Sequence, residues 1–181
     1  IGTESNAIYT MNVNTGIFQH IDWDMGSLMN STNQITTDGD LIWIATDGGV
    51  IIYNPYNEVI IPLTTETGLP HNAINTIYSS QDGNIWIGTE GGGVCRLDLS
   101  GNKVNQASFI GFNESNGLSS NTVYLMIFDD EHNLWIGTNK GLDKLDVNHY
   151  KSTGDIKVTN YGKLEGFAGL ECNQNSVLKD K

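Results

Sequence analysis

The side chains in this sequence best suited to chemistry are carboxylates standing between apolar stretches: Asp22, Asp24, Glu66, Glu114, Glu165 and Glu171. Two converging acids could cleave a glycosidic bond, one as proton donor and one as nucleophile or base. Nothing in the spacing sets any two of these across a sugar, so a solvated loop role is the favoured reading for each. The histidines His20, His71, His132 and His149 make no His-x-x-x-His or similar metal spacing. Only His71 stands where a histidine and acid lyase pair would require one. Cys95 and Cys172 also lack metal-type spacing and read as small core or surface residues.

Two local sequences invite a ligand reading and fail it. Asp82-Gly83-Asn84 offers too few oxygens for calcium, which takes about six to eight, and suits a hairpin turn instead. Thr89-Glu90-Gly91-Gly92-Gly93 lacks the Gly-Lys-Ser/Thr ending of a phosphate loop and runs into a strand rather than a helix. No catalytic residue, metal or cofactor is therefore expected. Non-covalent ligand contact has better candidates. Trp23, flanked by Asp22 and Asp24, combines an aromatic face with carboxylates, a grouping that can stack on and hydrogen-bond a sugar. A second group, His71, Asn72, Ser120 and Asn121, lies in connections leading into what should be innermost strands. The asparagines have a competing structural role, because Asn30, Asn72, Asn121 and Asn173 recur in the connections and suit turn capping.

The elements that position these residues repeat. Trp43-Ile44-Ala45-Thr46, Trp86-Ile87-Gly88-Thr89 and Trp135-Ile136-Gly137-Thr138 share one pattern, and Ile1-Gly2-Thr3 fits it without the tryptophan, so the isoleucines stand 43, 43 and 49 residues apart. Such a period belongs to stacked or radial arrays. A tryptophan recurring once per unit most simply fills the same hole each time. Trp43, Trp86, Trp135, Gly88, Gly137, Thr46, Thr89 and Thr138 are thus structural repeat residues.

Each unit reads as four short strands. In the clearest, strands fall at 72–80, 85–89, 94–98 and around Phe109 to Phe112, separated by Asp-Gly and Gly-rich turns. The preceding unit places them at 30–37, 41–46, 50–54 and 59–63, and the following one at 121–128, 134–138, 142–146 and around Ile156 to Tyr161, with the extra length lengthening a peripheral hairpin. Cys95 takes a strand position held by Ile52 and Asp143 in the neighbouring units. Units at 1–29, 30–71, 72–120 and 121–172 follow, with 173–181 beginning another. Four strands per unit is the count of a propeller blade. The expected fold is all-β, a propeller or propeller fragment of about four four-stranded blades, in one domain.

Together, Gly-Leu-x-x-Asn at 68–72 and 117–121 and the pattern Asp-x-x-(Gly/His)-Asn-(Leu/Ile)-Trp-Ile-Gly-Thr-x-x-Gly-(Leu/Val), complete at 129–142 and met at 80–94 with Ser80 first and one added glycine, resemble the two-component regulator propeller repeat. The resemblance covers essentially the whole chain. It implies a non-catalytic sensor segment of a bacterial hybrid histidine kinase, outside the cytoplasmic membrane, that perceives a glycan or other nutrient and signals to a kinase elsewhere. A propeller enzyme, lyase or glycosidase, and a structural dimerisation module are the alternatives.

Composition narrows the partners. A formal net charge of −12 opposes nucleic acid, whose binding needs a basic face. The implied partners are an oligosaccharide or small molecule and the remaining blades and signalling domains of a parent chain. Because the sequence opens inside a strand, it reads as an excised arc rather than a closed four-blade ring, and exposed edges then make a homodimer an expectation.

Overall fold

A computed structural model describes residues 1–3, 8–23, 25–29, 31–98, 108–167, 169, 171–174 and 176–178, with the backbone only at 27 and 29. Three four-stranded antiparallel meanders follow one another along the chain. The first is β3 (Thr32–Asp38), β4 (Leu41–Thr46), β5 (Gly49–Asn54) and β6 (Val59–Leu63). The second is β7 (Ile74–Ser79), β8 (Ile85–Thr89), β9 (Val94–Asp98) and β10 (Ser108–Phe112). The third is β11 (Val123–Phe128), β12 (Asn133–Thr138), β13 (Gly141–Asp146) and β14 (Val158–Tyr161). Before them stands a hairpin of β1 (Ile8–Met11) and β2 (Phe18–Ile21), extended by a bridge from Gly2 to Ile8. The all-β blade architecture holds, with three full four-stranded sheets and one smaller sheet in place of about four full ones.

Two-residue alternation along each second strand explains how the sheets stack. In β4, Ile44 faces the hairpin and packs with Ile8 and Ile51, whereas Trp43 and Ala45 face the second sheet and pack with Ile74, Ile77, Ile85 and Ile87. In β8, Ile85 and Ile87 look back to the first sheet, while Trp86 looks forward to Met126, Leu134 and Ile136 of the third. The first and second sheets are therefore apolar on both faces and buried between their neighbours. The inner strands β3, β7 and β11 lie side by side.

The small residue two positions after each tryptophan makes room for the next inner strand. A Cβ added to Gly88 would lie 2.7 Å from Val123 Cγ1 and 2.6 Å from Thr76 Cγ2, so nothing larger than glycine fits. Polar side chains tie the inner strands across the same gap. Asn33 Nδ2 donates to Ile74 O at 2.9 Å, Asn75 Nδ2 donates to Val123 O at 3.0 Å, and Gln34 Oε1 accepts from Ile77 N–H at 2.7 Å.

The three motif tryptophans share one register slot, opposite Ile52, Arg96 and Lys144 respectively. Their cover differs. Trp43 and Trp86 are 0% and 1% exposed beneath the following sheet, while Trp135 is partly exposed. Trp135 stacks on Tyr161 at 5.3 Å, lies 5.5 Å from Lys144 Nζ and donates its indole N–H to Asp129 at 2.9 Å.

Three expectations need correction. Cys95 aligns with Ile51 and Asp143 rather than with Ile52, because the turn before Gly93 is one residue longer than its counterparts. The inner strands begin at Thr32, Ile74 and Val123, two residues later than the apolar pattern suggests, because the residues before them close the connections. The insertion after β13 is helix α1 (Val147–Thr153), not hairpin. Asp146 caps it by accepting from His149 N–H, and Gly154 ends it in a left-handed conformation. The corresponding segment after β9 lies outside the described residues.

Trp86→Ala should lower stability by about 3–5 kcal/mol, the cost of emptying a large core site. Trp135→Ala should cost clearly less, as the indole is already partly in water. Urea unfolding followed by circular dichroism measures both.

Candidate functional site

The connections into β7, β11 and the chain's C-terminal segment share one device, a single 3-10 turn ended by glycine. These turns are Thr65–Thr67, Glu114–Asn116 and Lys163–Glu165, ended by Gly68, Gly117 and Gly166 at φ of 116°, 113° and 90°. Asn72 Oδ1 accepts from Thr65 N–H and Asn121 Oδ1 from Glu114 N–H, both at 2.8 Å. These two asparagines are thereby committed to holding their connections. Ser120 is buried, and its Oγ accepts from Thr122 N–H at 3.1 Å. His71 Nδ1 accepts from Ala73 N–H at 3.1 Å, and its ring lies within 3.3 Å of where a Cβ on Gly91 would stand.

The structure brings His71 and Asn121 to the same Gly91-Gly92-Gly93 turn, since the His71 ring lies beside Gly91 and Gly93 N–H donates to Asn121 O at 2.9 Å. The register differs in one respect from the sequence reading. Cys172 N–H donates to Thr138 O at 2.9 Å, just as Thr32 N–H donates to Thr3 O at 3.1 Å. Cys172 therefore takes the place of Thr32, Ile74 and Val123, and Asn173 aligns with Asn33 and Asn75 rather than with Asn72. Asn30 lies outside the described residues.

Trp23 sits on a different inter-sheet face. Its ring meets Tyr53 at 4.8 Å and packs on the cluster of Ile8, Ile44 and Ile51. It is partly buried, which gives it a packing role. Asp22 beside it is exposed, and Asp24 lies outside the described residues.

Two further groupings were not foreseen. Asp143, fully buried, accepts from Ser119 N–H at 2.8 Å, Ser119 Oγ at 2.9 Å and Asn160 Nδ2 at 2.6 Å, pinning the connection to β13. Its signal was an aspartate at a strand position held by Cys95 and Ile51 in the other sheets. Cys95 itself is buried, and burial pushes its thiol up to about 12, so it is inert as a nucleophile. Among the described residues, no three His, Cys, Asp or Glu side chains gather to hold a metal ion.

The second grouping is a cleft of about 140 Å³ between the second and third sheets, beneath their first hairpin turns and α1. Tyr78, Phe128 and Val147 give it apolar walls, and Asp82, Asp129, Asp130, His132 and Lys151 line its rim. Lys151 ion-pairs with Asp82 across the gap. Burial raises the pKa of Asp82, but hydrogen bonds from Lys151, Ser80 and Asn84 and the Lys151 charge outweigh it and hold the carboxyl well below its usual range. Asp129 is lowered in the same sense, burial being outweighed by donation from the Asn133 side chain and backbone, the Trp135 indole and Glu131 N–H. The sequence hid this cleft because Val147 and Lys151 come to it from α1, which the repeat does not contain.

Both native carboxyls titrate below their unfolded values, so their contribution is full above about pH 5 and is lost as pH falls through the unfolded and toward the native values. Stability should therefore drop between about pH 5 and pH 2, and the drop should be shallower in Asp82→Asn and Asp129→Asn. Urea midpoints across that range test this.

The family described as two component regulator propeller matches residues 68–91 and 117–140. No curated protein matches the sequence. Among solved structures, the extracellular domain of BT3049 from B. thetaiotaomicron, assigned to a hybrid two component system, superposes with a TM-score of 0.68 at 23% identity over 87% of this chain and 21% of its own. The extracellular domain of BT4673 from the same organism, assigned to a one component system, gives 0.67 at 25% identity over 87% and 20%. PorZ, a surface component of the type-IX secretion system of Porphyromonas gingivalis, gives 0.65 at 15% identity over 87% and 24%. The chain spans between a fifth and a quarter of the length of these proteins. It is an all-β propeller segment that carries the two component regulator propeller repeat at residues 68–91 and 117–140.

Proposed function

We propose that this chain is a non-catalytic sensor segment from the extracytoplasmic region of a bacterial two-component regulator, of the hybrid histidine kinase type. In this reading the parent protein perceives a glycan or other nutrient, and the blades pass the change to a kinase elsewhere in the chain. The observation that carries it is the use of the repeat. Its distinctive side chains fill blade interfaces (Trp43, Trp86), admit a neighbouring strand (Gly88) or close connections (Asn72, Asn121), so the repeat serves a scaffold rather than a reaction. The likeness to extracellular domains assigned to hybrid systems supports the setting. No helix among the described residues is long and apolar enough to cross a membrane, so an anchor would come from another part of the parent.

The partly exposed Trp135 supports a continuing array. Its slot is covered in the two earlier sheets, and Cys172 already stands against Gly137, with its Cβ 2.8 Å from where a Cβ on that glycine would be. Residues from 173 onward then begin a further blade of the parent, which would cover the indole. A second copy of the chain is the other candidate for that face.

The test is a glycan panel titrated into the intact extracellular region, read by thermal shift and by product analysis, with Trp23→Ala beside the wild type. Saturable stabilisation without turnover is expected, growing with ligand concentration as mass action requires. A flat response across the panel would overturn glycan perception, and hydrolysis or elimination of any member would overturn the non-catalytic assignment.

A further inference from the structure

The inter-sheet cleft has a chemistry that the scaffold does not require. Its walls are Tyr78 and Phe128, whose rings meet at 5.5 Å and a 41° tilt, together with Val147. Its rim carries three carboxylates, Asp82, Asp129 and Asp130, against one ammonium, that of Lys151. Asp129 is committed to its own turn, accepting from Glu131 N–H at 3.0 Å, Asn133 N–H at 2.8 Å, Asn133 Nδ2 at 2.9 Å and the Trp135 indole at 2.9 Å. Asp82 is different. It accepts from Ser80 Oγ and the Asn84 side chain within its turn, and its charged partner, Lys151, reaches it from α1, which follows the third strand of the next sheet. The pair is only 37% and 34% exposed, so this ammonium is docked at the cleft mouth and not waving in solvent.

We propose that this cleft is a binding site for a small organic ammonium, a primary amine on a short apolar body, with Lys151 as the chain's own occupant of the ammonium position. An ammonium beside Asp82 gains the carboxylate, while its apolar body would lie against the Tyr78, Phe128 and Val147 walls. An anion would meet three carboxylates in a chain of net charge −12. A neutral apolar guest that displaced Lys151 would leave Asp82 without a charged donor. The cleft volume of 140 Å³ corresponds to roughly five water volumes, room for about five heavy atoms. This site is independent of the sensor reading and stands or falls separately from it.

The test titrates n-butylamine into the isotope-labelled chain by NMR, with n-butanol, butyrate and sodium chloride at matched ionic strength as comparisons. Saturable shifts confined to Tyr78, Phe128 and the turns around Asp82 and Asp129 are expected for the amine alone. Lys151→Met removes the internal competitor and should tighten binding by about tenfold, whereas Asp82→Asn should weaken it by about tenfold. Lys151→Met removes one partly exposed ion pair, which contributes little to stability, so that variant should fold. Equal responses to butanol or salt, or Lys151→Met leaving the affinity unchanged or weaker, would overturn the proposal. If Asp82→Asn does not fold, the Lys151→Met comparison decides alone.

Discussion

The first two four-stranded sheets in this protein are apolar on both faces, and the fold depends on how consecutive sheets meet. Along a second strand such as β8, one set of alternate residues (Ile85, Ile87) faces backward and the other (Trp86, Gly88) faces forward. The tryptophan fills the wide part of the gap, and the glycine admits the next inner strand where the gap narrows. No sheet can bury itself alone, so each depends on its neighbours. The arrangement resembles a linear array whose stability is a sum of units and nearest-neighbour interfaces.

Polar side chains do most of the orienting. Asn33, Gln34 and Asn75 bond across to the next inner strand, Asn72 and Asn121 hold the connections, and Asp143 anchors Ser119 and Asn160. These are buried or half-buried groups whose partners must be present, so they specify register where the apolar contacts alone would tolerate slippage. The indole N–H groups of Trp43 and Trp86 have no acceptor among the described residues, which marks those rings as apolar filling placed for volume.

Much of this was legible in the sequence because repetition separates scaffold from exception. The period placed Trp43, Trp86 and Trp135 in one slot, and the Asp-Gly and Gly-rich turns located the strands closely. What the period could not show were departures from it. Helix α1 occurs only in the third unit, although Asp146 and Gly154 carried its capping signals. One extra residue before Gly93 shifted the match of Cys95 by a position, and the similar spelling of two connections drew Asn173 into the wrong register. For ligand contact, the connection residues His71, Asn72, Ser120 and Asn121 are held by local hydrogen bonds, while the cleft between Asp82 and Lys151 joins residues far apart in sequence. No spacing rule reaches across such a separation.

The account rests on the indoles being the filling between consecutive sheets. The most direct measurement is fluorine NMR of the chain labelled with 5-fluorotryptophan, comparing resonances in H₂O and D₂O after assignment by single substitutions. Trp43 and Trp86 should show no solvent isotope shift, and Trp135, in the same slot without a full covering sheet, should show a clear one. A shift at Trp43 or Trp86 as large as that at Trp135 would contradict it.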